Sequence, residues 1–174
     1  MANTTKVSIS VKDRPDLVAV VAGRLFDLGA NLGDTSFAVI GEGSEFTTAC
    51  DLSSEVGPAV VASELTSLPE LADATVEVTP FDLDPRAGPS GKVTHHIIVD
   101  GGDRPGLIAR LCEVFVQFGA NIVHLNAQRV TSSRADQYVI HMTISVDLAR
   151  ADSCLATVAN TAGEVGLACR WEAV

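Results

Sequence analysis

Apolar residues are spaced along two stretches of the chain in a way that predicts a helix in each. In residues 13–32 they fall at positions i, i+1, i+4, i+8 and i+11, which line one face of an α-helix. These residues are Leu17, Val18, Val21, Leu25 and Leu28. The same spacing returns 90 residues later in Leu107, Ile108, Leu111, Phe115 and Phe118. We therefore predict two equivalent amphipathic helices.

Identical residues recur at the same offset. Asp13-Arg14-Pro15 returns at 103–105, and Gly29-Ala30-Asn31 returns at 119–121. Within residues 13–32, 8 of the 20 positions match their partners without a gap. Self-similarity at a fixed offset indicates an internal repeat. The chain is therefore predicted to contain two copies of one module.

Cap residues fit the ends of both helices. Asp13 and Asp103 stand where an N-cap is expected, and the proline two residues after each would fall in the first turn. Gly29 and Gly119 stand where a helix commonly ends in the left-handed conformation.

Short apolar and alternating runs on either side of these helices predict strands. The first copy is expected to have strands in 7–11, 31–40, 46–52 and 75–79, a turn at 41–43, and a second helix over 56–68 that Pro69 stops. The second copy is expected to have strands in 97–99, 122–130, 137–146 and 167–173, a polar turn at 131–136, and a second helix over 153–162.

The element order β-α-β-β-α-β, repeated, is that of the ferredoxin-like unit. We predict an α+β protein with two such domains and antiparallel sheets. The first domain is expected at residues 1–80 and the second at 92–174. Residues 81–91 have the Pro, Gly and Asp content of a linker.

Composition and charge exclude several functions. The formal net charge is −10, and it is uneven: residues 1–91 carry 5 basic and 14 acidic residues, while residues 92–174 carry 7 and 8. An acidic surface repels phosphates, which argues against direct contact with nucleic acid. Aromatic residues make up only 5%, too few for the stacking surface of an RNA-binding domain. No signal peptide and no membrane-spanning run is visible, so we expect a cytoplasmic protein without membrane contact.

Candidate catalytic and metal-binding patterns are missing from the sequence. The four cysteines, Cys50, Cys112, Cys154 and Cys169, form no close pair, and we expect buried reduced thiols. No metal-ligand spacing, nucleophile motif or glycine-rich phosphate loop is present. We predict no catalytic residue, no cofactor and no metal, and hence no enzymatic activity. His95 and His96 would face opposite sides of a strand, so we expect them to be structural.

The repeated motif resembles a known regulatory module. Asp-Arg-Pro-Gly-Leu at 103–107, followed by Gly-Ala-Asn-Ile at 119–122, is similar to the ACT domain, which binds small molecules. The first copy matches through Asp13-Arg14-Pro15 and Gly29-Ala30-Asn31. The stretch LGDTSFAVIGEGSEFT at 32–47 resembles the first copy of the glycine cleavage system transcriptional repressors, a family of tandem ACT proteins.

The resemblance implies a ligand site at the first strand–helix turn, near an interface between paired modules. The ligand-binding residues it suggests are Asp103, Arg104, Gly106, Leu107, Asn121, Ile122 and Asn31. The chemistry of this turn is suitable. A helix N-terminus attracts a carboxylate, and Gly106 lets a ligand approach the backbone. Asp103 could accept hydrogen bonds from an ammonium group, although it could instead only cap its helix, and Asn121 could simply tolerate the turn after Gly119.

The first copy departs from this pattern because Asp16 replaces the glycine found at 106. We expect its carboxylate to point at the helix N-terminus and to occupy the anion position itself. The second copy would then keep the better ligand site, and the first would serve a structural or partner-binding role.

The resemblance implies an amino-acid-sensing regulatory protein, with glycine or serine as candidate ligands. Because the net charge argues against DNA contact, a transcriptional role would act through a protein partner, and a homodimer is expected. The alternative is a detached regulatory subunit of an amino-acid metabolic enzyme.

Overall fold

The computed structural model describes residues 3–82, 92–130 and 137–174. The chain divides into two compact units, Met1–Ala87 and Gly88–Val174. We call them the first and the second unit. Of the predicted linker 81–91, only Phe81 and Asp82 fall within the described residues, and the predicted turn at 131–136 lies outside them.

The first unit is a four-stranded antiparallel sheet with helices packed on one face. The strand order is β2-β3-β1-β4. Its elements are β1 (Asn3–Lys12), α1 (Leu17–Asp27), β2 (Asn31–Ile40), β3 (Gly43–Leu52), α2 (Pro58–Thr66), a short 3₁₀ helix (Pro69–Leu71) and β4 (Thr75–Pro80).

The second unit repeats this arrangement with the strand order β6-β7-β5-β8. Its elements are β5 (His95–Gly101), α3 (Leu107–Phe118), β6 (Asn121–Val130), β7 (Gln137–Ser145), α4 (Leu148–Glu164) and β8 (Ala168–Ala173). The predicted order β-α-β-β-α-β is therefore present in each unit.

Each core lies between the helices and one face of the sheet. In the first unit Val7 and Ile9 of β1 and Leu17, Val21 and Leu25 of α1 are completely buried. The side chains that alternate with them on β1 face the other side of the sheet, which none of the described helices of the first unit covers. In the second unit the equivalent helix buries Leu107, Leu111, Val114 and Phe115 against Ile97 and Val99 of β5.

Both first helices begin later than the sequence predicts. The helices start at Leu17 and Leu107, so Asp13 and Asp103 are not N-caps and the prolines precede the first turn. A separate turn comes first, in which the N–H of Leu17 donates to the Arg14 carbonyl at 3.4 Å and that of Leu107 to the Arg104 carbonyl at 3.3 Å. The predicted left-handed ends are confirmed, with φ of 75° at Gly29 and 66° at Gly119.

The second helix of each unit also differs from its prediction. α4 begins at Leu148 and not at 153, because the Asp147 carboxylate accepts a hydrogen bond from the Ala149 N–H at 2.9 Å and caps an earlier start. α2 begins with Pro58, and Pro69 opens the 3₁₀ helix. No helix in the described ranges is both long and apolar enough to span a bilayer.

Candidate functional site

The turn between β5 and α3 owes its shape to Gly106. This residue has φ 76° and ψ 5°, in the left-handed region, and a Cβ placed on it would meet no other atom within 4 Å. Glycine is therefore required by the backbone conformation and not by crowding. The open space around Gly106 leaves the turn accessible to a ligand.

Asp103 is tied to the end of β6 and does not cap the helix. Its Oδ2 atom accepts a hydrogen bond from Arg129 Nε at 3.0 Å and forms an ion pair with Nη2 at 2.8 Å. The side chain of Arg129 is 75% exposed, so the pair is near the surface. Sequence reasoning missed Arg129, because its link to Asp103 depends on the pairing of β6 beside β7 and β5.

The helix N-terminus beside this turn offers backbone donors. The Leu107 N–H is used in the turn, and the Arg110 N–H donates to the Gly106 carbonyl at 3.0 Å. The intervening N–H groups, of Ile108 and Ala109, find no acceptor among the described residues and α3 has no side-chain cap. Such groups suit an anion such as a carboxylate.

Two of the other predicted site residues, Asn121 and Ile122, are not gathered at this turn. Asn121 begins β6, beyond the far end of α3, and a helix of 12 residues is about 18 Å long. Asn121 pairs with Ser145, whereas the end of β5 at Gly101 pairs with Tyr138 at the opposite end of β7. Ile122 follows Asn121 and packs partly on the core. One unit alone therefore does not bring Asn121 and Gly106 together.

Leu107 and Asn31 are also poorly placed to contact a ligand at the turn of their own unit. Leu107 is 3% exposed within the core, so its side chain is not available to a ligand. Asn31 begins β2 opposite Asp51, whose carboxylate accepts a hydrogen bond from the Thr4 hydroxyl at 2.7 Å. Asn31 is separated from the turn of its own unit by α1.

In the first unit, Asp16 stands at the N-cap position of α1, but its carboxylate does not cap the helix. Its carboxylate makes no side-chain cap hydrogen bond and instead accepts from Arg14 Nε at 2.5 Å and Nη2 at 2.9 Å. That hydrogen bond lowers the pKa of Asp16 and raises the pKa of Arg14. The backbone differs too, since Asp16 has φ −94° where Gly106 has φ 76°. The expectation that Asp16 fills the anion position is wrong.

A cavity of about 560 Å³ opens beside the turn of the first unit. It is bounded by residues 11–16 and by the segment around the 3₁₀ helix, where Arg14 Nη1 donates to the Glu70 carbonyl at 3.2 Å. Glu70 and Asp73 line it with Asp13 and Asp16, and no sequence pattern pointed to the first two.

His95 and three of the four cysteines have structural surroundings. His95 is buried, with Nδ1 3.0 Å from the Thr94 hydroxyl, and His96 faces the opposite side of the sheet. Burial raises the pKa of the Cys50, Cys154 and Cys169 thiols, so these residues are poor nucleophiles at neutral pH. Across the described parts of the chain, no three His, Cys, Asp or Glu side chains are grouped so as to hold a metal ion.

Comparison with known proteins identifies the fold. No family model matches the sequence, and no curated protein sequence matches it. A solved structure of an unknown protein from Galdieria sulphuraria superposes with a TM-score of 0.78 at 18% identity, over 100% of this chain and 99% of that one. A protein proposed to be a glycine cleavage system transcriptional repressor superposes with a TM-score of 0.66 at 18% identity, over 100% and 98%.

Both similarities extend over the whole of each chain, so they include both units and not a single module. The predicted α+β class with antiparallel sheets is confirmed. The chain has the fold of two ACT-like, ferredoxin-type units in tandem, and the resemblance to tandem ACT proteins is confirmed at the level of the fold.

Proposed function

We propose that this protein senses an amino acid and regulates transcription through a protein partner, without contacting DNA and without catalysing a reaction. The observation that carries this proposal is the full-length fold similarity to a protein proposed to be a glycine cleavage system transcriptional repressor. Glycine and serine are therefore the first ligands to test.

The β5–α3 turn is the ligand site that we favour. The N–H groups of Ile108 and Ala109 would bind the ligand's carboxylate, and the open left-handed turn at Gly106 would admit it. Asp103 would bind the α-ammonium group. Arg104, in the same turn, would lie beside the ligand.

The Asp103–Arg129 pair would couple ligand binding at the turn to the surface at the end of β6. An incoming ammonium group would compete with Arg129 for the Asp103 carboxylate, and Arg129 belongs to the end of β6. Ligand binding would thus change the surface at the end of β6 and alter affinity for a partner protein. Linkage requires that the partner change the ligand's affinity by the same factor.

Asn121 and Asn31 would contribute from a second copy of the chain. Each begins an edge strand of its sheet, β6 or β2, and lies at the end of the sheet opposite the turn of its own unit. In a homodimer, one of them, with Ile122 nearby, would complete the turn of the partner chain. We propose this homodimer, in the cytoplasm, as the working form. Its mass in solution can be measured by light scattering, and a monomer that binds ligand with full affinity would contradict it.

The test is calorimetric titration of glycine and serine, followed by a thermal-shift screen of the twenty amino acids. A ligand that binds only the folded protein raises its melting temperature. We expect Asp103→Asn to weaken binding about tenfold or more, since it removes a charge-assisted hydrogen bond. The matched control is Asp27→Asn, the same change at an exposed position of α1. Equal affinity in both variants would contradict the assigned site.

Affinity purification separates the two regulatory roles. Recovery of a transcription factor supports the proposed function, and recovery of an amino-acid biosynthetic enzyme supports the alternative of a detached regulatory subunit. Tight, sequence-specific DNA binding by the pure protein in a gel-shift experiment would contradict the indirect mechanism.

A further inference from the structure

A cavity lies on the face of the first sheet that the described helices of the first unit leave free, away from the β1–α1 turn of the same unit. It has a volume of about 290 Å³, at the lower end of the range for small-molecule sites. Its lining includes Lys6, Asp34, Ser36, Thr47, Ala49 and Phe81. Lys6 belongs to the side chains of β1 that alternate with the core residues Val7 and Ile9, so it projects on the side without helices.

Asp34 reaches this face through a β-bulge. Between the pairs Leu32–Cys50 and Thr35–Thr48, β2 has two residues, Gly33 and Asp34, where β3 has only Ala49. The Thr35 hydroxyl is 3.0 Å from the Gly33 carbonyl and 2.8 Å from the Thr48 hydroxyl, which stabilises the bulge. Bulges redirect side chains and are frequent beside functional sites.

Lys6 and Asp34 stand on either side of a small residue. Lys6 pairs with Ala49 on one side of β3, and the register after the bulge places Asp34 opposite Ala49 on the other. The two backbones are thus about 9.6 Å apart, twice the strand spacing. Neither side chain forms an ion pair with any described residue. The cavity therefore has, at opposite sides, a cation and an anion that no charged side chain of the described residues pairs with.

Phe81 supplies an apolar wall. It follows β4, and its N–H donates to the Thr4 carbonyl at 2.9 Å, which fixes it beside β1. The floor between the charges is the methyl group of Ala49, flanked by the hydroxyl groups of Ser36 and Thr47.

We propose that this cavity binds a small zwitterion with a short aliphatic body. Lys6 binds its carboxylate, Asp34 binds its ammonium group, and Phe81 and Ala49 contact the aliphatic part. A molecule with only one of the two charges leaves the other protein charge without its partner. This site is separate from the β5–α3 turn and does not depend on the function proposed for that turn.

The second unit provides a comparison within the same chain. It has a bulge at the equivalent place, between Ile122 and His124, and the corresponding row of side chains is His124, Thr143 and His96. His96 Nδ1 is 3.1 Å from the Thr143 hydroxyl. This row contains no carboxylate, so the pairing of opposite charges belongs to the first unit.

The experiment is an NMR titration of the full ¹⁵N-labelled chain with L-leucine, 3-methylbutylamine and 4-methylpentanoate. The last two are leucine without its carboxylate and without its amino group. We expect L-leucine to give saturable shifts of the Ser36, Thr47, Ala49 and Phe81 amides, with affinity at least about tenfold above either analogue. Glycine and L-valine are titrated in the same way, and a lack of saturable shifts from all three amino acids would overturn the proposal.

Variants then test whether Lys6 and Asp34 supply the two charges that bind the ligand. Lys6→Met and Asp34→Asn should each weaken the binding about tenfold or more, whereas Lys12→Met and Asp27→Asn make the same charge changes outside the cavity and should not. If the control variants weaken binding as much as the cavity variants do, the attraction is adventitious and the proposal fails. The same conclusion would follow if 3-methylbutylamine bound as tightly as L-leucine. Gly106→Ala should leave these shifts unchanged, so failure at one site is distinguishable from failure at the other.

Discussion

Arg129 contacts a single carboxylate oxygen of Asp103 twice, through a hydrogen bond from Nε at 3.0 Å and an ion pair from Nη2 at 2.8 Å. The two residues are 26 positions apart in sequence and are joined by the pairing of β6 through β7 to β5. The pair fixes the β5–α3 turn to the end of β6. It also occupies the carboxylate that we assign to the ligand's ammonium group.

Arg129→Gln should therefore change ligand affinity at the turn while leaving the free energy of unfolding almost unchanged. Because the Arg129 side chain is 75% exposed, solvent screens the pair, and its loss should change the free energy of unfolding by less than about 1 kcal/mol. Affinity of the β5–α3 turn for an amino acid should rise, since Asp103 loses its competitor. Calorimetry measures both ligand affinity and melting temperature, and weaker binding in Arg129→Gln would argue against competition.

Gly106→Ala should destabilise the second unit by about 1–2 kcal/mol, because an L side chain is strained at positive φ. Gly106→Asn should cost less, since asparagine tolerates this conformation better. Gly102→Ala is the matched control: it adds a methyl group that meets nothing within 4 Å, and its φ is outside the left-handed region. The protein's single tryptophan, Trp171, lies in β8 and reports unfolding of this unit in urea. Equal stability of the two alanine variants would contradict the prediction.

Thr5→Val should stabilise the first unit by about 1 kcal/mol. Thr5 is completely buried and its hydroxyl finds no hydrogen-bond partner in the described ranges, so valine removes an uncompensated desolvation cost at almost constant shape. Thr48 is equally buried, but its hydroxyl is bonded to Thr35 and Ala49. Thr48→Val should accordingly destabilise the unit by about 1 kcal/mol. Hydrogen exchange of the Val7 and Ile9 amides measures both changes, and effects of the same sign would refute the argument.

The Arg14–Asp16 pair should make the stability of the first unit depend on pH in the acid range. Its hydrogen bond lowers the folded-state pKa of Asp16 below the ordinary value of 3.8. The stabilisation it gives is present above that ordinary value and is lost as pH falls through the lowered one. NMR titration of the Asp16 carboxyl carbon should show the low pKa in the wild type and a higher one in Arg14→Met. An unchanged Asp16 pKa in that variant would rule out the pairing in solution.

The sequence predicted structure best where the structure depends on residues that are close together in the chain. Gly29 and Gly119 were correctly placed at left-handed helix ends, because each follows an apolar helical pattern directly. Asp103 was misread as a cap, since the turn preceding the helix depends on backbone hydrogen bonds that no side-chain pattern records. Its partner Arg129 required the strand register.

The candidate site illustrates the same distinction. Family resemblance grouped Asn121 with Gly106, although α3 lies between them and holds them at opposite ends of one unit. The sequence did not predict Asp34 as a site residue, because only the bulge at Gly33 and the pairing with Ala49 bring it beside Lys6. Such juxtapositions depend on contacts between distant residues.

The bulge that both units share suggests an order for two events, the insertion of the extra residue and the duplication of the module. Both units carry one extra residue at the same place in their second strand, Gly33 in one and the equivalent Val123 in the other. The simplest history is that the ancestral single module already had this insertion and was then copied. On this history, the difference between Lys6 and Asp34 in the first unit and His96 and His124 in the second arose after the module was copied.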